Sequence, residues 1–510
     1  MKKFKERKTL NPIMTFIILI AVTIIASGIL SLIGVSASYD KIDPASSSAI
    51  SQIENVENLF SLSGVKYIFS STVANFASFA PLIMLIIILF GIGIMEKSGF
   101  LKTAFSLLTK HCKKKTVTFV LVLFCLCSSL GGELWYVVFI PLSALLFLHG
   151  RRNPLIGIIT SFAGLTCGSG LSAILTATDS SLLKATLLGA SRLDANYTLG
   201  IWSFSLIMVV AIIVLAFVIT KISEDVIAPK LGKYEFAEEE EETHIGKSEL
   251  RGLIFGIGVS IIYLIIIIYS IIPGLPLSGS LLDKSQVFYI DKLFSYSSFF
   301  SDGFVFIITL LFVIWGLFYG IGARTIKNNN DLATCLGHSL DGIGKPIVLI
   351  FFAATFISIF KKSNIGLVII SWLSGVIKTT SFQGLPLIVL LFIFGAISTL
   401  FLPSILSRWT IISGSAVPVL MNAGISPEFS QVIFRFAESF TIGLTPLLAY
   451  YIIYLAYLEK YNKSETPITL FKSIGYQMPY SFATGGILLV ILIAWYLLGI
   501  PIGIGGFAVL

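Results

Sequence analysis

Thr399–Thr445 reads TLFLPSILSRWTIISGSAVPVLMNAGISPEFSQVIFRFAESFTIGLT, and in it Arg408, Arg435 and Glu438 stand between long apolar runs. A charge at mid-bilayer depth costs about 2.5–3.5 kcal/mol on insertion scales, so such residues face protein and carry function. The prolines, glycines and clustered Ser/Thr of the same stretch break a helix and free its carbonyls. Free carbonyls are tolerated only around a cavity that protein encloses. Secondary transporters build their substrate sites from such breaks. This stretch therefore reads as the floor of a transport site.

Outward from it, composition excludes a soluble fold. The 510 residues are 56% hydrophobic and 12% charged, with a mean hydropathy of +0.94. That is an all-α polytopic membrane protein, with the lipid bilayer as its main partner and the cell membrane as its place. The net charge of +8 is not a nucleic-acid signal, because the Lys and Arg cluster at loop ends as orientation signals do. Cys112, Cys125, Cys127, Cys167 and Cys335 lie in or beside apolar segments and read as ordinary buried thiols. MKKFKERK precedes an apolar run, Pro12 to Ile33, that is too long for a signal peptide and is taken as the first membrane helix.

Charge bias orders the remaining spans. Lys2, Lys3, Lys5, Arg7 and Lys8 hold the N-terminus in the cytoplasm. The polar segment from about Ser36 to Lys66 lies outside, and a span from Asn75 to Met95 returns to Glu96, Lys97 and HCKKK. Thr116 to Leu148 starts and ends beside positive charge, with Glu133 in a glycine-rich tip, which makes it a re-entrant hairpin. Pro154 to Ala190 is too long for one span and polar at its centre, where Asp179 sits, so it is a broken helix crossing outward. Trp202 to Ile222, Gly252 to Ile272, Gly303 to Phe318 and Pro346 to Phe360 are further spans. Leu385 to Leu420 is a second hairpin, Pro427 to Ala456 a second broken helix interrupted at Ala437 to Thr445, and Phe482 to Leu498 the last span. The count is nine transmembrane helices and two re-entrant hairpins, with the C-terminus outside.

The two halves repeat. APLIMLIIILFGIGIMEKS in the first resembles KPIVLIFFAATFISIFKKS in the second. Pro81 to Lys97 is 97 − 81 = 16 positions, and Pro346 to Lys362 is 362 − 346 = 16. Each copy is followed by a hairpin and a broken helix with a carboxylate, and the copies run in opposite senses, as an inverted repeat. Residues 1–222 form the first membrane half and 252–510 the second, joined over 223–251 by a cytoplasmic linker that holds the acidic run EFAEEEEET.

NFASFAPL, GIGIMEKSGFL, RRNPLIGIITSFAG, TATDSSLL, YGIGARTIKNNND, Ser407-Arg408-Trp409, ISPEFSQVIFRFAES and WYLLGIPIGIG together resemble the AbgT family. That family comprises the p-aminobenzoyl-glutamate transporters and their antimetabolite-exporting relatives. The resemblance implies nine membrane helices with two hairpins and a homodimer. It also implies a substrate site that includes Asp179, Trp409, Pro427 and Arg435, which match the family pattern. The chain departs from the pattern at Ser172 and Thr399, where the family has asparagines implicated in sodium binding, and at Glu438 and Glu133, where it has aspartate. Hydroxyls such as those of Ser172, Thr176, Thr178 and Thr399, with Asp179 and Glu438, still ligate a hard cation, but with fewer carbonyl dipoles.

Each role has a plain alternative. Asp179 either takes a proton or cation or caps a helix. Glu438 lies three positions after Arg435, so the two either form an ion pair on one helix face or divide the labour. In the second case Arg435 holds a substrate carboxylate and Glu438 exchanges a proton. Trp409 either stacks on an aromatic amide or sits at an interface. The expected function is a secondary active transporter of a p-aminobenzoyl-glutamate-like organic anion, with a proton or sodium ion as coupling ion and no other cofactor. A sulfonamide-type antimetabolite exporter is the alternative, and an anion channel the competing class. No Walker, H-E-x-x-H or G-x-S-x-G motif is present, so neither ATP drive nor an enzyme is expected.

Overall fold

A computed structural model describes residues 10–42, 48–236, 245–295 and 297–510. The basic residues Lys2–Lys8 and most of the acidic run, at 237–244, lie outside the described residues. The first half opens with α1 (Pro12–Leu32) and an antiparallel pair, β1 (Ser36–Ile42) with β2 (Ala49–Asn55). It continues through α2 (Leu62–Ala77), α3 (Ala80–Lys97), α4 (Phe100–His111), α5 (Lys114–Leu126), α6 (Leu134–His149), α7 (Pro154–Gly168) and α8 (Ala177–Ala190). α9 (Ser205–Ile222) then runs through a π-turn into α10 (Ala228–Leu231). α11 (Lys247–Ile271), α12 (Tyr289–Phe294), α13 (Phe299–Ala323) and α14 (Asn329–His338) precede the second copy of the repeat. That copy comprises α15 (Gly344–Lys362), α16 (Ile365–Thr379), α17 (Gly384–Phe401), α18 (Ile405–Asn422), α19 (Pro427–Thr441), α20 (Tyr451–Lys460) and α21 (Leu470–Leu498).

The repeat extends further than its sequence signature. α3 to α9 and α15 to α21 follow the same order: long helix, amphipathic helix, paired helices, broken helix, long helix. Even the corner after the motif is repeated. Gly99 (φ 92°) and Asn364 (φ 59°) are left-handed, 99 − 81 = 18 and 364 − 346 = 18 positions past the matched prolines. Glycine and asparagine are the residues that end a helix this way at little cost.

Among the described residues, eight helices are long and apolar enough to cross a membrane. Seven of them coincide with the seven unbroken spans expected from sequence; the two expected broken helices correspond to half-length pieces, α7 with α8 and α19 with α20. The eighth is α17, the first arm of the second expected hairpin, whose 18 residues extend about 27 Å.

Three boundaries move. α2, in the segment expected to be an external loop, already belongs to a 36-residue apolar stretch, Leu62–Lys97, that turns at Ser78–Phe79. The second break, expected at Ala437 to Thr445, begins only after Thr441. Thr441 donates its hydroxyl to Ala396 O (2.7 Å), so it does not compete for its own helix carbonyls, and Ser439 Oγ accepts Gly170 N (3.1 Å). The linker expected from 223 begins only after Leu231. Ser223 is buried against Thr160 Oγ1 (2.9 Å) and Tyr480 Oη (2.8 Å), and Glu224 pairs with Arg152 at 2.5 Å. These polar groups face protein, so the helix carries on. Of the cysteines, Cys125, Cys167 and Cys335 are buried, whereas Cys112 and Cys127 are only half-buried.

The halves interlock. α13 packs on α3 and α1 packs on α15, so the helix leading into each copy lies on the other copy. The α3–α13 crossing is close because a Cβ on Gly316 would stand 2.7 Å from Met95 N, and one on Gly91 2.9 Å from Thr309 O. Small residues at such crossings let backbones approach where no hydrophobic drive between helices exists. On the far side, Ile254, Ile261, Ile262, Ile265 and Ile266 of α11 are exposed, as a lipid-facing surface requires. The β-ribbon is clamped by buried Asp40, which receives Arg192 Nη1 (3.2 Å) and Lys378 Nζ (2.9 Å).

Gly316→Leu is expected to destabilise the protein by roughly 1–3 kcal/mol through overpacking, read as a lower Tm and yield in detergent. Gly258→Leu, where an added Cβ meets nothing within 4 Å, is expected to leave both unchanged.

Candidate functional site

The two breaks face each other. α7 stops at Gly168, and 169–176 run unwound until Thr176 caps α8. Gly170 lies so close to α19 that a Cβ there would stand 2.0 Å from Arg435 O. In the second break, a Cβ on Gly443 would meet Thr166 Oγ1 of α7 at 2.8 Å. Each break thus rests on the intact part of the other broken helix, and only glycine permits that approach.

Two buried ion pairs join these parts. Arg435 sends Nη1 to Asp179 Oδ1 (2.7 Å) and Nε to Gly170 O (2.9 Å), and its Nη2 donates to Ser172 Oγ. Ser172 Oγ donates in turn to Asp179 Oδ1 at 2.6 Å. The other carboxylate oxygen of Asp179 accepts Thr176 N (2.7 Å) and Thr176 Oγ1 (2.8 Å), a capping box at the start of α8. Asp179 is therefore a helix cap and an ion-pair partner at once. One oxygen holds the helix and the other the arginine.

Arg408 supplies the second pair. Its Nη2 reaches Glu438 Oε2 at 2.8 Å, and Nη1 lies 3.3 Å from Ser398 Oγ. Its guanidinium sits 5.0 Å from the ring of Phe434, while Nε has no hydrogen-bond partner among the described residues. Arg435 and Glu438 thus do not form the ion pair along α19 that was one of the two readings of their spacing. Each is matched to a residue on another element, because a helix neighbour three positions away cannot reach a guanidinium that points across into the first break.

A cavity of about 570 Å³ opens over these groups, walled by the tips 128–133 and 402–407 and by both breaks. Ser172, Thr176, Thr178, Asp179, Arg435 and Glu438 line it. Arg408, Trp409, Thr399 and Pro427 do not. Trp409 is 0% exposed, donates its indole N–H to Thr186 Oγ1 (2.9 Å) and packs on Phe434 with ring centroids 4.8 Å apart, so no ligand stacks on it in this conformation. Thr399 Oγ1 donates to Gly395 O at 2.8 Å, within its own helix. Pro427 starts α19 behind the Ser426 cap. Among the described residues, no cluster of three or more His, Cys, Asp or Glu is placed to hold a metal ion.

Sequence reasoning missed the partners. Counting charge would have helped: two arginines inside the membrane need two carboxylates, and Asp179 is the one that Glu438 leaves over. Gln431, which accepts from Thr186 at 2.6 Å, and Gly170 and Gly443 at the breaks carried no distinguishing signal.

Removal of one partner strands a buried charge at a cost of about 3–5 kcal/mol. Arg408→Met is therefore expected to lower Tm and yield sharply, and Arg408→Met with Glu438→Gln to restore most of both, as read by thermal unfolding in detergent.

Comparison with known proteins gives the family. The chain is 28% identical over 498 residues to the p-aminobenzoyl-glutamate transport protein of Escherichia coli K12, covering 98% of this chain and 94% of that one. It is similar to the MtrF structure of Neisseria gonorrhoeae, described among antimetabolite efflux pumps, with 28% identity, coverage of 96% of each chain and a TM-score of 0.49. It is also similar to the Alcanivorax borkumensis YdaH transporter, with 24% identity, coverage of 97% and 100% and a TM-score of 0.48. The model of the "AbgT putative transporter family" matches residues 6–510, and the chain, a membrane-embedded protein, belongs to the AbgT family of transporters.

Proposed function

We propose that this chain is a secondary active transporter of an organic anion of the p-aminobenzoyl-glutamate type, working as a homodimer in the cell membrane. The supporting observation is Arg435: a buried guanidinium that lines the central cavity and is held by the unwound backbone of the other half. A substrate carboxylate competes with Asp179 for that guanidinium. The displaced aspartate, still capped by Thr176, then takes up a proton. The transport of anion and proton would be linked by this exchange.

Sodium coupling has less support. Ser172, Thr176 and Asp179 already surround Arg435, so a sodium ion would join a cluster whose negative charge is spent. Glu438 is likewise answered by Arg408. Nine crossings, two re-entrant hairpins (α5 with α6, α17 with α18), a cytoplasmic N-terminus and an external C-terminus complete the proposed arrangement. Export of an antimetabolite is the alternative within the same geometry, since the cavity does not fix direction. A channel is disfavoured because the passage ends on two buried ion pairs.

The test is uptake into proteoliposomes under imposed gradients. An inward proton gradient is expected to drive accumulation of p-aminobenzoyl-glutamate, and removal of sodium to leave it intact; drive by sodium alone would reject proton coupling. Arg435→Lys loses the fork that matches a carboxylate and is expected to raise KM about tenfold or more, on the scale of one hydrogen bond to a charged group. Folded protein should remain. Recovery of full transport in the Arg435→Met, Asp179→Asn double variant would reject the substrate role.

A further inference from the structure

The central cavity continues into a second one of about 520 Å³, walled by Glu57, by α2 and by the end of α15. Glu133, Lys361 and Ala449 line both, so the two adjoin at these residues, which border the throat between them. The charged groups along the passage are mostly answered. Glu57 holds Lys362 at 2.5 Å, Asp179 holds Arg435 and Glu438 holds Arg408. Glu133 faces the hydroxyl of Tyr450. Lys361 is exposed, lines the throat, and among the described residues makes no ion pair or side-chain hydrogen bond.

We infer that Lys361 is an anion-recognition residue at this throat, on which a substrate carboxylate is held before it reaches Arg435. This rests on the organic-anion reading of the central site and adds a second contact to it. A cleft with apolar walls focuses the field of a lone charge on the solute within it. An ammonium on a four-carbon stem follows a moving carboxylate without fixing its orientation, which suits a point of passage.

A plainer role, a cation placed at the C-terminal end of α15 for its dipole, is weakened by the repeat. The equivalent position in the first copy, 96 − 81 = 361 − 346 = 15 positions past the matched proline, is Glu96. The helix end tolerates either sign. The lysine borders cavities of about 520 and 570 Å³, whereas Glu96 lines one of only about 130 Å³ that shares no lining residue with the central one.

The experiment measures p-aminobenzoyl-glutamate uptake by full-length protein in proteoliposomes for Lys361→Arg, Lys361→Gln and Lys361→Glu. Lys361→Arg is expected to keep the unaltered KM. Lys361→Gln should raise it about three- to tenfold, the worth of one partly screened charge contact, and Lys361→Glu further, with kcat unchanged throughout. KM of the unaltered protein should rise with ionic strength, and that dependence should flatten in Lys361→Gln, an outcome that a purely structural lysine would not produce. Equal KM values for the unaltered protein and Lys361→Gln at low salt would overturn the inference alone. Absence of saturable uptake by the unaltered protein would reject the anion reading, and this inference with it.

Discussion

A guanidinium taken out of water has to be met by a carboxylate and by acceptors for its remaining donors, or the helix that carries it does not stay in the bilayer. Arg435 and Arg408 impose that condition twice, on α19 and α18. The answers come from different places: Asp179 and Gly170 of the first half for Arg435, Glu438 of the same half for Arg408. The first pair is the more consequential, because it ties an unwound stretch of one half to an intact helix of the other. Without it, the segment 169–176 would present a bare carbonyl at Gly170, and Asp179 a carboxylate without a counter-charge, to an enclosed space.

The two glycine contacts complete the same arrangement in steric terms. Gly170 lets the first break lie on α19, and Gly443 lets the second lie on α7. Backbone that has left the helix ladder needs partners from outside its own segment. Here Ser439 serves Gly170 N, and Arg435 serves Gly170 O. The cavity is what remains between the breaks once these contacts are made, which is why much of its polar lining comes from the first unwound stretch, α8 and α19.

Much of this was legible in the sequence, for a physical reason. Hydropathy over twenty residues, charge at loop ends and over-long apolar segments are local quantities, and they located the unbroken spans and both broken helices. The 16-position motif gave the repeat. Partners across the fold are not local. Arg435 and Glu438 look like a pair because they are three residues apart, and the structure matches each elsewhere. Trp409 looks like a stacking platform from its chemistry, yet Thr186 and Phe434 enclose it. The β-ribbon escaped because SASYDKI and AISQIEN are too polar to read as strands. Asp40, with two cations from other elements, makes sense of the ribbon only after folding.

The repeat also explains why the molecule is lopsided. Two copies of one motif end in equivalent corners, at Gly99 and Asn364. Yet the passage beside the second copy joins the centre, while the space beside the first is small and separate. Equivalent sequences in unequal surroundings are two local states of one element. Where copies run in opposite senses, exchange of those states would close the wide end and open the narrow one around a fixed site. The ion pairs at the breaks lie on the pseudo-equivalent elements themselves, so such an exchange cannot proceed without straining or remaking the Arg435–Asp179 contact. On the proposed reading, a ligand that competes for Arg435 would act on a bond that joins the two halves, and binding and movement would share one contact.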